Sequence, residues 1–383
     1  WCESDASGAA RLRVLWKGEG FPWEPLPPTA LFHLPSPNLH QRSDALQILS
    51  ERQCAACHSP SSLASTSRND LQGWFASPSL KELSGRLYPE WITAWIANPK
   101  SLRPNARMPH LLHGERAAAD AADITAYLLR EGAQKSESST DIDEAAKEEQ
   151  IRVGGRLFET LGCLSCHRLT PPEEEDPFNR IPLHHVAAKF TPEGLRNFLQ
   201  HPMKYAPASR MPDFHLSSEE AVQLAQYLRS QTEENRLPKP STTGDPKRGE
   251  ARFAALRCRN CHDSTVTAAP PASVPLRDLQ QGCLSPLEEG PVRFGFAEDE
   301  KNALRALFQR GDGEINWRSK TDNLALLMKS YRCQSCHDRD LAVAPRRAII
   351  EEEGESGQPA PPLPNLTWTG DKLRPDWLAR YLA

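Results

Sequence analysis

The chain has 383 residues, room for about two to four domains, and its 46 lysines and arginines against 50 aspartates and glutamates leave a formal net charge of −4. No long basic run accompanies that balance, so nucleic-acid binding has no support, and no stretch of about 18 uncharged apolar residues is present to span a membrane. Apolar residues reach only 38%, low for one large core, and the 34 prolines favour many short helices joined by stiff loops.

Residues 1–40 read as a short extended or β segment. They hold Leu12-Arg13-Val14-Leu15-Trp16-Lys17-Gly18-Glu19-Gly20-Phe21, then Pro25-Leu26-Pro27-Pro28 and Leu31-Phe32-His33. This run resembles the last strand and exit of a PA14-type β-sandwich, a sugar- or surface-binding module. A proline-rich linker wrapped on the first helical unit is the competing reading. The chain starts at Trp1 with no leader pattern, so its numbering is expected to be that of a mature or partial product.

Four helical runs come next, Asp44–Arg52, Val153–Leu161, Lys247–Leu256 and Asn323–Tyr331, and each leads into the same five-residue pattern. The copies are Cys54-Ala55-Ala56-Cys57-His58, Cys163-Leu164-Ser165-Cys166-His167, Cys258-Arg259-Asn260-Cys261-His262 and Cys333-Gln334-Ser335-Cys336-His337. A lone Cys-x-x-Cys serves zinc sites and redox dithiols, but neither needs a His directly after it in every copy. The pattern is the attachment signature of c-type haem. Two cysteines three apart form thioethers to one porphyrin, and the adjacent His is held beneath the iron as axial ligand. Four covalently attached haems c are therefore expected. Cys54, Cys57, Cys163, Cys166, Cys258, Cys261, Cys333 and Cys336 are the attachment points, with His58, His167, His262 and His337 as proximal ligands. Covalent attachment of this kind takes place outside the cytoplasmic membrane, so a periplasmic or extracellular location is expected.

After the first two motifs, Pro89-Glu90-Trp91 and Pro192-Glu193-Gly194 open a second pair of helices, with Pro in the first turn and the acid favoured by the helix dipole. Arg107-Met108-Pro109 and Arg210-Met211-Pro212 come next, and 19 residues separate Pro89 from Met108 and Pro192 from Met211 alike. Helices Ala117–Leu129 and Ser218–Arg229 close the two units and carry Tyr127-Leu128 and Tyr227-Leu228. The acidic, Ser-rich stretch Gln134–Gln150 and the polar stretch Ser230–Gly244 read as linkers.

The third unit breaks the pattern. Aligning Phe294–Glu300 with Phe214–Glu220 puts Pro291 where Met211 stands, and no Met lies between His262 and Met328. The segment holds Cys283 instead. The distal side of the third iron is open to three readings: Cys283 as a soft sulfur ligand, an open or water-held position, or a His from another unit. Cys283 and Cys2 are also the only cysteines outside the motifs, so a disulfide between them or a buried thiol competes. Met328, in the helix before the fourth motif, reads as core. In the fourth unit Arg374-Pro375-Asp376-Trp377 repeats the Pro-Glu-Trp helix, and the same 19-residue step from Pro375 runs past Ala383. The intact protein is expected to continue with an Arg-Met-Pro-like loop and a closing helix.

From residue 41 onward these features resemble class I cytochrome c domains. In that family an entry helix carrying Cys-x-x-Cys-His crosses a closing helix, and a loop between them brings Met to the far side of the iron. The resemblance implies an all-α fold of four small helical haem domains in tandem behind the N-terminal segment. Their expected limits are 41–133, 150–231, 245–312 (divergent, without Met) and 317–383 (cut short). It implies Met108 and Met211 as distal ligands opposite His58 and His167, with the closing-helix tyrosines at the helix crossing. Irons capped on both faces have no vacant site. The implied activity is thus electron transfer between donor and acceptor proteins, a dehydrogenase or further copies of this chain among them. The rival is a peroxidase-like enzyme with an open third haem, for which Glu288, Glu289 and Asp299 are the local acids. Arg107 and Arg210 are either partners of haem propionates or solvated surface residues. His113, His184, His185, His201 and His215 are expected to be exposed or hydrogen-bonding.

Overall fold

The computed structural model describes residues 2–4, 10–12, 14–26, 30, 37–54, 77–130, 144–170, 176–206, 209–232, 237, 239, 243–262, 282–285, 292–309, 324, 327–340, 342–354, 357 and 359–382. Their architecture is mostly helical. At the N-terminus β1 (Cys2–Ser4) pairs antiparallel with β2 (Ala10–Leu12), and β3 (Leu15–Gly18) with β4 (Phe21–Pro25). A parallel pair, β5 (His167–Arg168) and β6 (Ile181–Pro182), lies just after the second motif.

The main helices are α1 (Pro37–Glu51), α2 (Pro89–Ala97), α3 (Ala117–Leu129), α4 (Glu144–Thr160), α5 (Pro192–Gln200), α6 (Ser218–Ser230), α7 (Pro246–Ala255), α8 (Glu298–Gln309), α9 (Arg346–Glu353) and α10 (Pro375–Leu382). Pro89, Pro192 and Pro375 each open a helix, as the sequence predicts. Thr191 caps α5, and Ser217 with Glu220 forms a capping box on α6. Helix α4 begins at Glu144, inside the stretch expected to be linker. Its alanines and glutamates are strong helix formers, and Glu144 in the first turn suits the dipole.

In the second unit the entry helix crosses its own closing helix. Gly154 of α4 lies so close to α6 that an added Cβ would drive into the carbonyl of Gln223. One turn on, the Phe158 and Tyr227 rings stand 5.6 Å apart. Small-against-backbone and ring-against-ring packing of this kind fixes the crossing point.

The first and third units exchange partners. Helix α7 of the third unit crosses α3 of the first: a Cβ at Gly249 would meet the carbonyl of Asp123, and the Phe253 and Tyr127 rings are 5.3 Å apart. Helix α1 of the first unit packs on α8 of the third, with Ala45, Leu46 and Leu49 against Leu284, Phe296, Ala303, Leu304 and Leu307. The helix pairs therefore do not follow the limits 41–133 and 245–312.

Charge explains the exchange. Asp120 and Asp123 lie on the inner face of α3, with Asp123 only 2% exposed, so each needs a cation from its partner helix. Arg248 reaches Asp123 at 2.8 Å and Arg252 reaches Asp120 at 2.9 Å, while the Asp245 N–H donates to Asp123 at 2.7 Å. Gly249 and Ala45 both stand nine residues before the first motif cysteine. On α1 the positions of Arg248 and Arg252 are thus held by Asp44 and Ile48, which would set a carboxylate against a carboxylate. Helix α8 carries Ala303 where α3 carries Asp123, and α1 fits it.

The repeats also meet each other. Leu87 and Phe190, equivalent positions just before the two Pro-Glu helices, bridge antiparallel. Tyr88 N–H donates to Lys189 O and Thr191 N–H to Arg86 O, both at 3.0 Å, so the segments join about a local two-fold axis. The fourth unit packs on the second: Ile349 and Ile350 of α9 enter the α4–α6 core, and buried Arg180 binds Asp176 and Glu353 at 3.0 and 2.7 Å.

Asp123→Asn is predicted to lower stability by about 1.5–3 kcal/mol at neutral pH, the range for a hydrogen bond to a charged group. The Arg248 hydrogen bond holds the Asp123 carboxyl below its usual range. Its contribution is therefore complete above the unfolded carboxylate pKa of about 3.9 and is lost as pH falls through the lower, folded value. Denaturant unfolding of both proteins should show the gap at pH 7 and its closure in strong acid; a gap independent of pH contradicts the pairing.

Candidate cofactor site

Each motif is presented by the same local geometry. The residue before the first cysteine is left-handed in all four copies: Gln53 at φ 52, Gly162 at φ 75, Arg257 at φ 58 and Arg332 at φ 58. That residue stops the entry helix. The chain then tightens into a single turn over Cys163–Ser165, Cys258–Asn260 and Cys333–Cys336. Positions i and i+3 eclipse in such a turn, so paired cysteines share one side of it. Cys57 and His58, and with them the end of the first turn, lie outside the described residues.

The three described motif histidines are held alike. Nδ1 stands 3.3 Å from Ile181 O in His167, 2.9 Å from Pro78 O in His262 and 2.8 Å from Pro364 O in His337. Donation from Nδ1–H to a carbonyl leaves Nε2 with its lone pair free to bind a metal. Burial pushes His167 down to about 4 and lowers His262 as well, which keeps both imidazoles neutral donors at physiological pH. The carbonyl that orients His262 comes from the first unit, in line with the helix exchange.

One cavity of about 2420 Å³ joins the motifs, against roughly 300–1,000 Å³ for an ordinary small-molecule pocket. Cys54, Cys163, Cys166, Cys258, Cys261, Cys333 and Cys336 line it, with His167, His262, His337, Met108, Met211 and Met328. Among the described residues no three His, Cys, Asp or Glu side chains converge as a metal-ion cage. The cysteines are instead spread along the cavity, motif by motif.

The cavity is rich in half-buried cations. Arg52, Arg103, Arg107, Arg210, Arg332 and Lys189 line it, while Glu51 and Asp213 are the acids among its lining residues. Burial, reinforced by Arg210 and Arg332, lowers Arg103 to about 10. Burial with Arg103 and Arg86 nearby lowers Lys189 to about 8. Such a surplus is costly without an anion. A large, flat, apolar group that carries carboxylates fits these walls: pairs of cysteines, an imidazole beside each described pair with Nδ1 on a backbone carbonyl, and cations for the acid edge. Haem c is such a group, and Cys163, Cys166, His167, Met211 and Arg210 would hold one copy.

Other predicted residues are placed as follows. Met211 packs on the α4–α6 core, as does Cys163. Arg107 and Arg210 are half-buried in the cavity rather than solvated on the surface; Arg107 pairs with Glu51 at 2.8 Å, and Arg210 donates to Ser330 O at 3.3 Å. Cys283 packs, together with Cys54, against the α1–α8 cluster. Its pairing with Cys2 falls on a side chain outside the described residues, as do Glu288 and Glu289. Asp299 is exposed in the first turn of α8.

Of the two alternatives expected for His184, exposure is excluded, since it is only 8% exposed. Its ring lies 4.0 Å from His185, which in turn faces Trp91 at 5.6 Å, and all three line the cavity. The His-His doublet after Pro182 is the only sequence signal for this cluster. His215, with 90% of its side chain exposed, fits the expectation.

No family model matches the chain, and neither does any curated protein or solved structure.

Burial, with His185 beside it, lowers His184 to about 4, against about 6.5 in an unfolded chain. Between those values the unfolded chain takes a proton that the folded one refuses, so stability falls as pH drops through this window. His184→Gln should flatten that acid limb, and the His184 ring resonances should titrate near 4; titration near 6.5 contradicts the burial.

Proposed function

We propose that the chain is a tetrahaem c-type cytochrome that passes electrons between redox partner proteins, in the periplasm or outside the cell. The observation that carries this reading is the single cavity that joins the described motif cysteines, with each described motif histidine oriented through Nδ1 on a backbone carbonyl. When bound, haem supplies one-electron exchange between ferric and ferrous iron. The chain's own residues do the rest. The Cys-x-x-Cys turns would tether each group, and the histidines would present Nε2 to it. The cations would hold carboxylate edges, and the apolar walls would exclude water from the space between centres.

The fold proposed with this function is four small helical haem units of class I cytochrome c type. Crossing entry and closing helices with a Gly and aromatic contact support it for the α4–α6 and α7–α3 pairs. Partners are donor and acceptor proteins, with a dehydrogenase or further copies of the chain as candidates. Among the described residues no helix is long and apolar enough to cross a membrane.

The test is optical. The full-length protein, reduced anaerobically, should carry four haems per chain, and Cys163→Ser with Cys166→Ser should leave three. Rapid carbon monoxide binding by none of them supports a relay, since every iron is then capped. Zinc or no covalent haem overturns the reading; prompt binding by one haem in four replaces the relay with an enzyme or gas sensor.

A further inference from the structure

We infer that the haem sites of the first and third units are built crosswise, so that Met108 is the distal partner of His262 and the centre without a methionine is the first, beside Cys283. The inference rests on the haem reading above, but its evidence is the packing of this chain's own residues.

The second unit supplies the template. There α4, the motif Cys163–His167, the carbonyl that holds His167, α5, Met211 and α6 come in one uninterrupted run. For His262 the same parts are present, but the chain delivers them from two places. The entry helix α7 and the motif come from the third unit. The carbonyl of Pro78, helix α2, Met108 and the closing helix α3 come from the first. Cys258 is packed into that composite core against Leu112, Tyr127 and Phe253, with Leu80 alongside.

Two contacts of the Met108 loop point the other way, toward the first motif: the Arg107 ion pair and the hydrogen bond that Arg52 donates to Ala106 O at 2.8 Å. Arg107, next to Met108, pairs with Glu51, three residues before Cys54. Arg210, next to Met211, reaches Ser330, three residues before Cys333. Met211 nevertheless packs with Cys163 in the second unit's core. In the second unit the arginine before the methionine thus reaches a neighbouring motif while the methionine packs on the helix pair of its own unit, and we carry that arrangement over to Arg107 and Met108. Arg107 therefore marks the first motif as neighbour and leaves Met108 to His262.

The remaining parts assemble the first centre. Helix α1 crosses α8, and Cys54 and Cys283 pack on the same cluster around Leu49 and Leu304. The segment that lacks a methionine therefore packs with Cys54 of the first motif, and Cys283 is the sulfur it brings to that cluster.

The test is nuclear magnetic resonance of the reduced, haem-loaded full chain with labelled methionine methyls. The Met108 methyl, assigned by its loss in Met108→Leu, should carry a large ring-current shift and show contacts to the thioether protons of Cys258 and Cys261. Contacts to Cys54 and Cys57 overturn the crossed assignment, as does an unshifted Met108 methyl. If Met108→Leu does not fold, a second pair of variants decides. Cys258→Ser with Cys261→Ser should remove the shift, and Cys54→Ser with Cys57→Ser should keep it; the reverse overturns the inference. A chain that takes up no haem fails at the earlier haem count, which separates failure of the functional reading from failure of this one.

Discussion

The close approach of α7 to α3 is the contact on which the first and third units depend. At Gly249 the two backbones leave no room for a side chain, and beside it Arg248 and Arg252 neutralise Asp123 and Asp120. A buried carboxylate without a partner costs far more than a surface ion pair gains, so these two aspartates select which entry helix α3 will accept. Once α7 is chosen, α1 must bury its stripe elsewhere. The apolar face of α8, with Ala303 in place of an acid, is the face left for it. The crossed connection results from charge and side-chain volume rather than from the order of the chain.

This constraint sets the site. The entry helices carry the cysteine turns at their ends, so exchanging helices exchanges motifs. The carbonyl of Pro78 then orients an imidazole that lies 184 residues further along the chain. The described parts of the four motifs line one shared cavity, and its surplus of arginine and lysine over acid is one that a carboxylate-bearing group would offset. If the proposed haem reading holds, folding and cofactor attachment would be coupled, because such a group would both fill the apolar volume and offset the cations of its walls.

Much of this is legible in the sequence. The four Cys-x-x-Cys-His copies, the Pro-Glu helix starts, the closing helices and the equal spacing to Met108 and Met211 are local patterns, and local patterns survive any rearrangement of partners. The partner choice is not local. All entry helices present a similar apolar stripe, so periodicity does not tell α1 from α7. The distinguishing signal is present as Asp120 and Asp123 on one helix and Arg248 and Arg252 on another, but both sets look like solvated charge until the face they occupy is known. The same blindness hides the burial of His184 and the packing of Cys283 against the α1–α8 cluster. The start of α4 at Glu144 escapes for a different reason: an acidic alanine-rich run suits a linker and a helix equally until a packed partner such as α6 is known.

The crossed helix pairing is tested most directly by a double-mutant cycle between Asp120 and Arg252, using Asp120→Arg, Arg252→Asp and the pair together in the full chain. If α3 and α7 pair, the reversed pair recovers stability lost in the single variants, with a coupling of about 0.5–3 kcal/mol, as for residues in contact. Energies that simply add, within about 0.3–0.5 kcal/mol as for distant sites, would mean that α3 and α7 do not meet and would contradict the crossed pairing.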